Sequence, residues 1–241
     1  IYKDNLIVID TKSIMKVYDL FSGKIKWKYK INKDQPSILF ENFFKGSPWG
    51  GFSLDEKRGL IFFTTGNPEF WHQGIDRPGK NLYANSIVAF DINSKKIKWY
   101  FQETAHDLWN FDLAAPPILT TLKKQGKNID VVTVISKTGN TYVLDRETGL
   151  SLFKISKKRS PISNVPGEKT NPYHLEVNLP EKICRNKITE DELSNLPYVN
   201  QDKIKEIFYK SETGFPTPPK LGIKNIQMGG CVRWAGASID T

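Results

Sequence analysis

The amino-acid sequence predicts an all-β chain built from repeated hairpins, on three observations. Short runs rich in β-branched and aromatic residues alternate with polar turns from the first residues onward. The segment VYDLFSGKIKW at 17–27 returns as AFDINSKKIKW at 89–99 and as VLDRETGLSLF at 143–153. In each copy an apolar residue and an Asp lead into a polar turn, and the next strand carries an aromatic ring at the same offset from that Asp. One hairpin recurring through a β-rich chain indicates a repeat architecture. The simplest form is the blades of a propeller, each needing its neighbours to bury its apolar faces.

Taken in order, LIVID, MKVYDL and KIKWKYKI read as the first strands. Gly23 supplies the left-handed backbone of the turn after Asp19, whose carboxylate starts it. GGFSLD, the turn DEKRG and LIFFTTG form another hairpin, closed by Gly66-Asn67-Pro68. VVTVI and TYVLD pair through a turn at Lys137-Thr138-Gly139-Asn140. From Ser156 to Gly222 the character changes, with prolines clustering at 161, 166, 172, 180, 216, 218 and 219. Only ITEDELSNL and QDKIKEIFYK look helical there, the first opened by a capping box of Thr189 and Glu192. The expected organisation is blades over 1–155, a Pro-rich and partly helical insertion over 156–228, and the start of a further blade over 229–241.

At 241 residues the chain is long enough for a sizeable core. Its 14 Phe, 9 Tyr and 6 Trp set it apart from disordered chains. No apolar run approaches the roughly 20 residues of a spanning helix. The chain opens strand-like and is expected to be an excerpt of a longer polypeptide. The formal charge of +9 is spread over scattered lysine pairs at turns, not gathered into a basic stripe. Nucleic acid is therefore not an expected partner. Cys184 and Cys231 lack metal-ligand spacing, and their pairing is left open by sequence alone.

The stretch Glu103–Pro117, ETAHDLWNFDLAAPP, gathers chemistry-bearing groups. It sets His106, Asp107, Asn110 and Asp112 among aromatic rings where a plain loop would favour small polar residues. Rings offer a flat apolar surface, and carboxylates and amides offer oxygen ligands to a hard cation such as calcium. The stretch reads equally as a buried strand end with capped turns.

Together these motifs resemble the quinoprotein dehydrogenases that use pyrroloquinoline quinone (PQQ), most closely the glucose dehydrogenase-like branch. The resemblance runs nearly end to end, through WGGFSLD, TTGNP, HDLWNFDLAAPPIL, SKTGNTYVLDRETG, VPGEKTNP, ITEDEL, TPP and GGCVRWAGASID. Each is weak alone; their order and spacing make the likeness specific. It implies an eight-bladed β-propeller, of which this chain resembles about half. It also implies oxidation of a sugar or other alcohol, with electrons passed to a membrane quinone or a cytochrome. The implied location is the periplasm, either free there or attached to the inner membrane through a region outside this segment.

Residue by residue, the resemblance makes Trp49 the ring that stacks on the quinone, Lys137 the cation at its reactive carbonyls, and Trp234 a second tryptophan near it. Asn67 matches a ligand to the calcium ion or lanthanide, and Asp112 stands where some relatives place a further metal carboxylate. Arg233 stands where the family usually has asparagine. The main departure is in HDLWN. The family's aspartate after the tryptophan is both metal ligand and proposed base, and Asn110 replaces it here. An amide coordinates through its carbonyl but cannot take a hydroxyl proton. Asp107 or Asp112 is then the substitute base, or the chain is a weakly active or non-catalytic propeller. Asn110 and Asp107 are accordingly the candidate catalytic positions.

Overall fold

A computed structural model describes residues 1–31, 46–69, 71–185, 187–226 and 229–239. Three antiparallel sheets follow one another along the chain. The first holds β1 (Asn5–Ile9), β2 (Ile14–Asp19) and β3 (Ile25–Lys30). The second holds β4 (Phe52–Asp55), β5 (Leu60–Thr64), β6 (Ser86–Asp91) and β7 (Lys96–Gln102). The third holds β8 (Ile118–Lys124), β9 (Lys127–Ile135) and β10 (Thr141–Asp145), with Ser151 bridging back to Leu144 at its edge. Sequential strands pair as neighbours in every sheet, the meander of a propeller blade.

The strand periodicity of two explains how these sheets stack. On β5, Ile61 and Phe63 pack with Met15, Val17 and Phe90 between the first and second sheets. Leu60 and Phe62 point the other way, into a core with Val132, Val134, Tyr142 and Leu144 of the third sheet. The second sheet is thus buried on both faces, so LIFFT and SIVAF run continuously apolar instead of alternating with polar residues.

The three repeats share one turn geometry. Asp19, Asp91 and Asp145 each turn one carboxylate oxygen onto the backbone N–H groups that follow, as in Asp145 Oδ1 accepting from Glu147 (3.0 Å) and Thr148 (2.8 Å). The next turn position is left-handed in all three, at Gly23 (φ +67°), Lys95 (φ +56°) and Gly149 (φ +73°). In the first two repeats the closing ring then reaches the following sheet. Trp27 lies against Phe90 with centroids 6.3 Å apart, and Trp99 Nε1 donates to the Arg146 carbonyl at 3.1 Å. Arg58 adds a polar seam, pairing with Asp55 of the second sheet and Asp130 of the third.

After the third sheet, β11 (Ile155–Arg159) and β12 (Tyr173–Val177) form a hairpin whose Ile155 and Val177 join the core beside that sheet. The expected helix at QDKIKEIFYK is α1 (Gln201–Tyr209), capped by the Asn200 side chain accepting from the Lys203 N–H at 3.0 Å. ITEDELSNL yields only a single 3-10 turn over Glu190–Glu192. The Glu192 carboxylate does reach back to the Thr189 N–H at 2.8 Å, but no apolar face carries the helix further. β13 (Ser211–Thr213) pairs in parallel with β14 (Lys224–Ile226). The strand expected from Gly229 is a loop over 229–239, turned by left-handed Gly230 and Gly236; residues 240 and 241 lie outside the described residues.

Candidate active site

Residues 103–117 cross from β7 of the second sheet to β8 of the third, over the end where the β9–β10 turn emerges. Their backbone is pinned to β5 and the residue after it. Thr64 Oγ1 donates to the Ala115 carbonyl at 2.9 Å, and the Leu113 N–H donates to the Thr65 carbonyl at 3.2 Å. Trp49 enters from before β4 at the same end. Gly50 is needed there, because a Cβ would lie 1.8 Å from the Ala114 carbonyl oxygen.

Three sequence-predicted residues meet at this point. Asp112 accepts from Trp49 Nε1 at 3.1 Å through Oδ2, and from Lys137 Nζ through Oδ1. Lys137 also donates to the Asn110 carbonyl at 3.1 Å. Asp112 and Lys137 are nearly buried, at 8% and 11% side-chain exposure, so their ion pair is little screened by solvent. Trp49 keeps 41% exposure. Gly66, next to Asn67, approaches so closely that its Cβ would stand 3.0 Å from Trp49 Nε1. The Asn67 side-chain amide donates to the Pro68 carbonyl at 3.1 Å.

Asp107 is placed differently. It is fully buried and organises its own loop, accepting from the Trp109 and Phe111 N–H groups at 2.8 Å each and from Asn85 Nδ2 at 3.1 Å. Burial pushes its carboxyl above the usual range, against the pull of those donors and of Arg77. With no exposure, Asp107 cannot reach a hydroxyl from this position. What it does is hold Asn110 at φ +62°, a left-handed conformation that Asn tolerates well. Trp234 is 67% exposed, in the loop that runs from Lys137, where the Cys231 N–H donates to the Lys137 carbonyl at 2.9 Å, to Pro116, which Gly236 approaches. Arg233 is exposed beside it.

Several pairings had no signal in the sequence. His106 sits between the Gly79 carbonyl (3.0 Å) and Glu168 Oε1 (2.7 Å), tying the loop to the segment around Glu168. Glu168 is held below the usual glutamate range: burial opposes this, but the His106 ring and the Gly74 N–H outweigh it. Glu103, also buried, accepts from the Tyr142 hydroxyl at 3.0 Å and the Thr138 hydroxyl at 2.5 Å, while its Oε2 has no partner. Cys184 and Cys231 are joined in a disulfide. Each partnership links segments far apart in sequence, which no local pattern reports.

The family described as "PQQ: Glucose/ethanol/alcohol dehydrogenase, beta-propeller domain" matches residues 2–241. The chain belongs to this family. Among relatives of this PQQ-family chain is quinoprotein glucose dehydrogenase A of Acinetobacter calcoaceticus, 29% identical over 98% of this chain and 31% of its own length. The lanthanide-dependent methanol dehydrogenase of Methylorubrum extorquens is 38% identical over 61% of this chain and 28% of its own length. Among solved structures, quinohemoprotein alcohol dehydrogenase from Comamonas testosteroni superposes with a TM-score of 0.55 and 27% identity, over 67% of this chain and 28% of that one. The chain therefore spans about a third of the length of the curated relatives it matches.

The residues present fit a planar anionic quinone. Trp49 offers a ring with 41% of its residue surface exposed, Gly66 lies close against its Nε1 edge, and Lys137 is joined to it through Asp112. They do not complete a metal site. Among the described residues no three of His, Cys, Asp and Glu converge as ligands. Both oxygens of Asp112 already accept hydrogen bonds, and a calcium ion needs six to eight oxygens.

Proposed function

We propose that this chain supplies one wall of the PQQ site in a periplasmic quinoprotein dehydrogenase that oxidises a sugar or other alcohol and passes the electrons to a quinone or a cytochrome. The observation that carries the reading is the joined unit Trp49–Asp112–Lys137. Bound PQQ would supply the oxidising chemistry that amino-acid side chains lack. Trp49 would set the plane of the ring. Lys137 would hold its cation at the quinone oxygens, where negative charge develops. Asp112 orients both, since it binds the indole N–H with one oxygen and the ammonium with the other. Asp107 fixes the loop that carries Asn110. Asn67 and Asp112 would contribute to a calcium ion or lanthanide only together with ligands from outside the described residues.

A second reading, a propeller with little or no turnover, is favoured by the state of the three candidate proton acceptors. Asn110 cannot take a proton, Asp107 is sealed, and Asp112 is ion-paired to Lys137. Titration of the full-length protein with PQQ, followed by quenching of tryptophan fluorescence, tests the first reading. Saturable quenching that weakens at least tenfold in Lys137→Ala is expected. Absence of binding in the presence of calcium or a lanthanide would leave the non-catalytic propeller.

A further inference from the structure

We infer that the Cys184–Cys231 disulfide is a clamp that positions Lys137. The inference rests on the proposed role of Lys137 at the quinone. Two segments without strand or helix among the described residues, around 183–184 and 229–231, both lie against the β9–β10 turn, their cysteine Cα atoms 6.0 Å apart. The Ile183 N–H of the first donates to the Gly139 carbonyl at 3.1 Å. The Cys231 N–H of the second donates to the Lys137 carbonyl at 2.9 Å. The packing is as close as the hydrogen bonding. A Cβ on Gly139 would meet the Cys184 carbonyl oxygen at 2.8 Å and its sulfur at 2.9 Å, and a Cβ on Gly230 would meet Lys137 Cγ at 2.7 Å.

The turn is thus gripped by a closed loop, and the disulfide is the covalent link that closes it across a sequence separation of 47. Tethering keeps the two segments near each other at high effective concentration. Cutting the link leaves each held by weak contacts alone. Lys137 needs such support because its ammonium must reach the Asn110 carbonyl and Asp112 on a loop from a different part of the chain. A long flexible side chain holds one geometry only where its stem is packed. Cys184 and Cys231 are therefore positioning residues, acting through the backbone and stem of Lys137.

The test uses the full-length protein before and after treatment with a water-soluble phosphine. That reagent breaks the S–S bond to two thiols and is itself oxidised to the phosphine oxide, with oxygen and protons from water. Hydrogen exchange is read at the Ile183 and Cys231 amides, and PQQ affinity is read by fluorescence in wild type and in Lys137→Ala. Reduction should speed exchange at both amides at least tenfold and weaken PQQ at least fivefold in wild type, with no further weakening in Lys137→Ala. A Cys184→Ser/Cys231→Ser variant with the near-ultraviolet dichroism of the native fold should behave like the reduced protein. Unchanged exchange, or equal weakening in both backgrounds, overturns the clamp. Faster exchange in a protein that binds no PQQ in either state overturns the proposed function and leaves the clamp on the turn standing.

Discussion

The indole N–H of Trp49 donates to Asp112 at 3.1 Å, and the opposite oxygen of the same carboxylate takes the Lys137 ammonium. Trp49 stands before the second sheet, Asp112 between the second and third, and Lys137 in a turn of the third. A ring and a cation from two blades are thereby fixed relative to each other by one side chain between them. In the proposed PQQ site, which needs a flat face and a charge held toward one planar molecule, that relation would set the geometry.

Asp112→Asn should expose how much the relation matters. The amide still accepts from Trp49 but no longer neutralises a largely buried Lys137, and charge-assisted bonds are about twice as strong as neutral ones. PQQ affinity of the full-length protein should fall by about ten- to a hundredfold, the equivalent of roughly 1.4–2.8 kcal/mol. Affinity within twofold of wild type would mean that Asp112 does not organise the site.

Asn110→Asp should raise turnover in dye-linked alcohol oxidation. Asp tolerates the left-handed backbone of position 110 as Asn does, so the fold is undisturbed. A general base contributes about a hundred- to ten-thousandfold. If wild type already turns over substantially and the change lowers its rate, the base lies elsewhere.

Much of the fold is legible in the sequence. The repeat of an Asp, a polar turn and a closing ring predicted the sheets, because each part does local work that sequence records: the carboxylate caps the turn, and the ring spans to the next sheet. Trp49, Asp112 and Lys137 stand in motifs that the sequence singles out, and their side chains meet. What did not show was partnership. Asp107, a candidate base by its neighbourhood, is enclosed by the backbone of its own loop. Glu168 meets His106 from far along the chain. The loop over 229–239 reads as a strand by its apolar pattern, yet a strand needs a partner, and none pairs with it among the described residues.

Glycines at one turn position show the same limit and a way to measure it. Gly23 and Gly149 occupy matching places in their repeats, both left-handed. A Cβ on Gly23 meets nothing within 4 Å, whereas one on Gly149 would lie 2.6 Å from the Trp99 ring. Gly23→Ala should cost only the left-handed penalty, about 1–2 kcal/mol. Gly149→Ala adds overpacking against the ring, for a total of about 2–5 kcal/mol. Urea midpoints of the two variants decide it; equal losses would mean that Trp99 moves aside without cost.

Glu103→Gln should stabilise the protein above neutral pH. Burial raises the Glu103 carboxyl above its ordinary value of 4.5, with the hydroxyls of Thr138 and Tyr142 only partly opposing it. The folded state therefore holds a proton that the unfolded chain releases. Stability from this group is full below the unfolded pKa and is lost as pH rises through the folded one. The loss runs at up to about 1.4 kcal/mol per pH unit across that window. Glutamine keeps an oxygen to accept from Tyr142 and replaces the partnerless Oε2 by an amide that never ionises. Urea midpoints of the variant and wild type should nearly coincide at pH 4.5 and separate at pH 8, with the variant higher. A separation that is the same at both pH values would place the Glu103 charge outside the energetics of the fold.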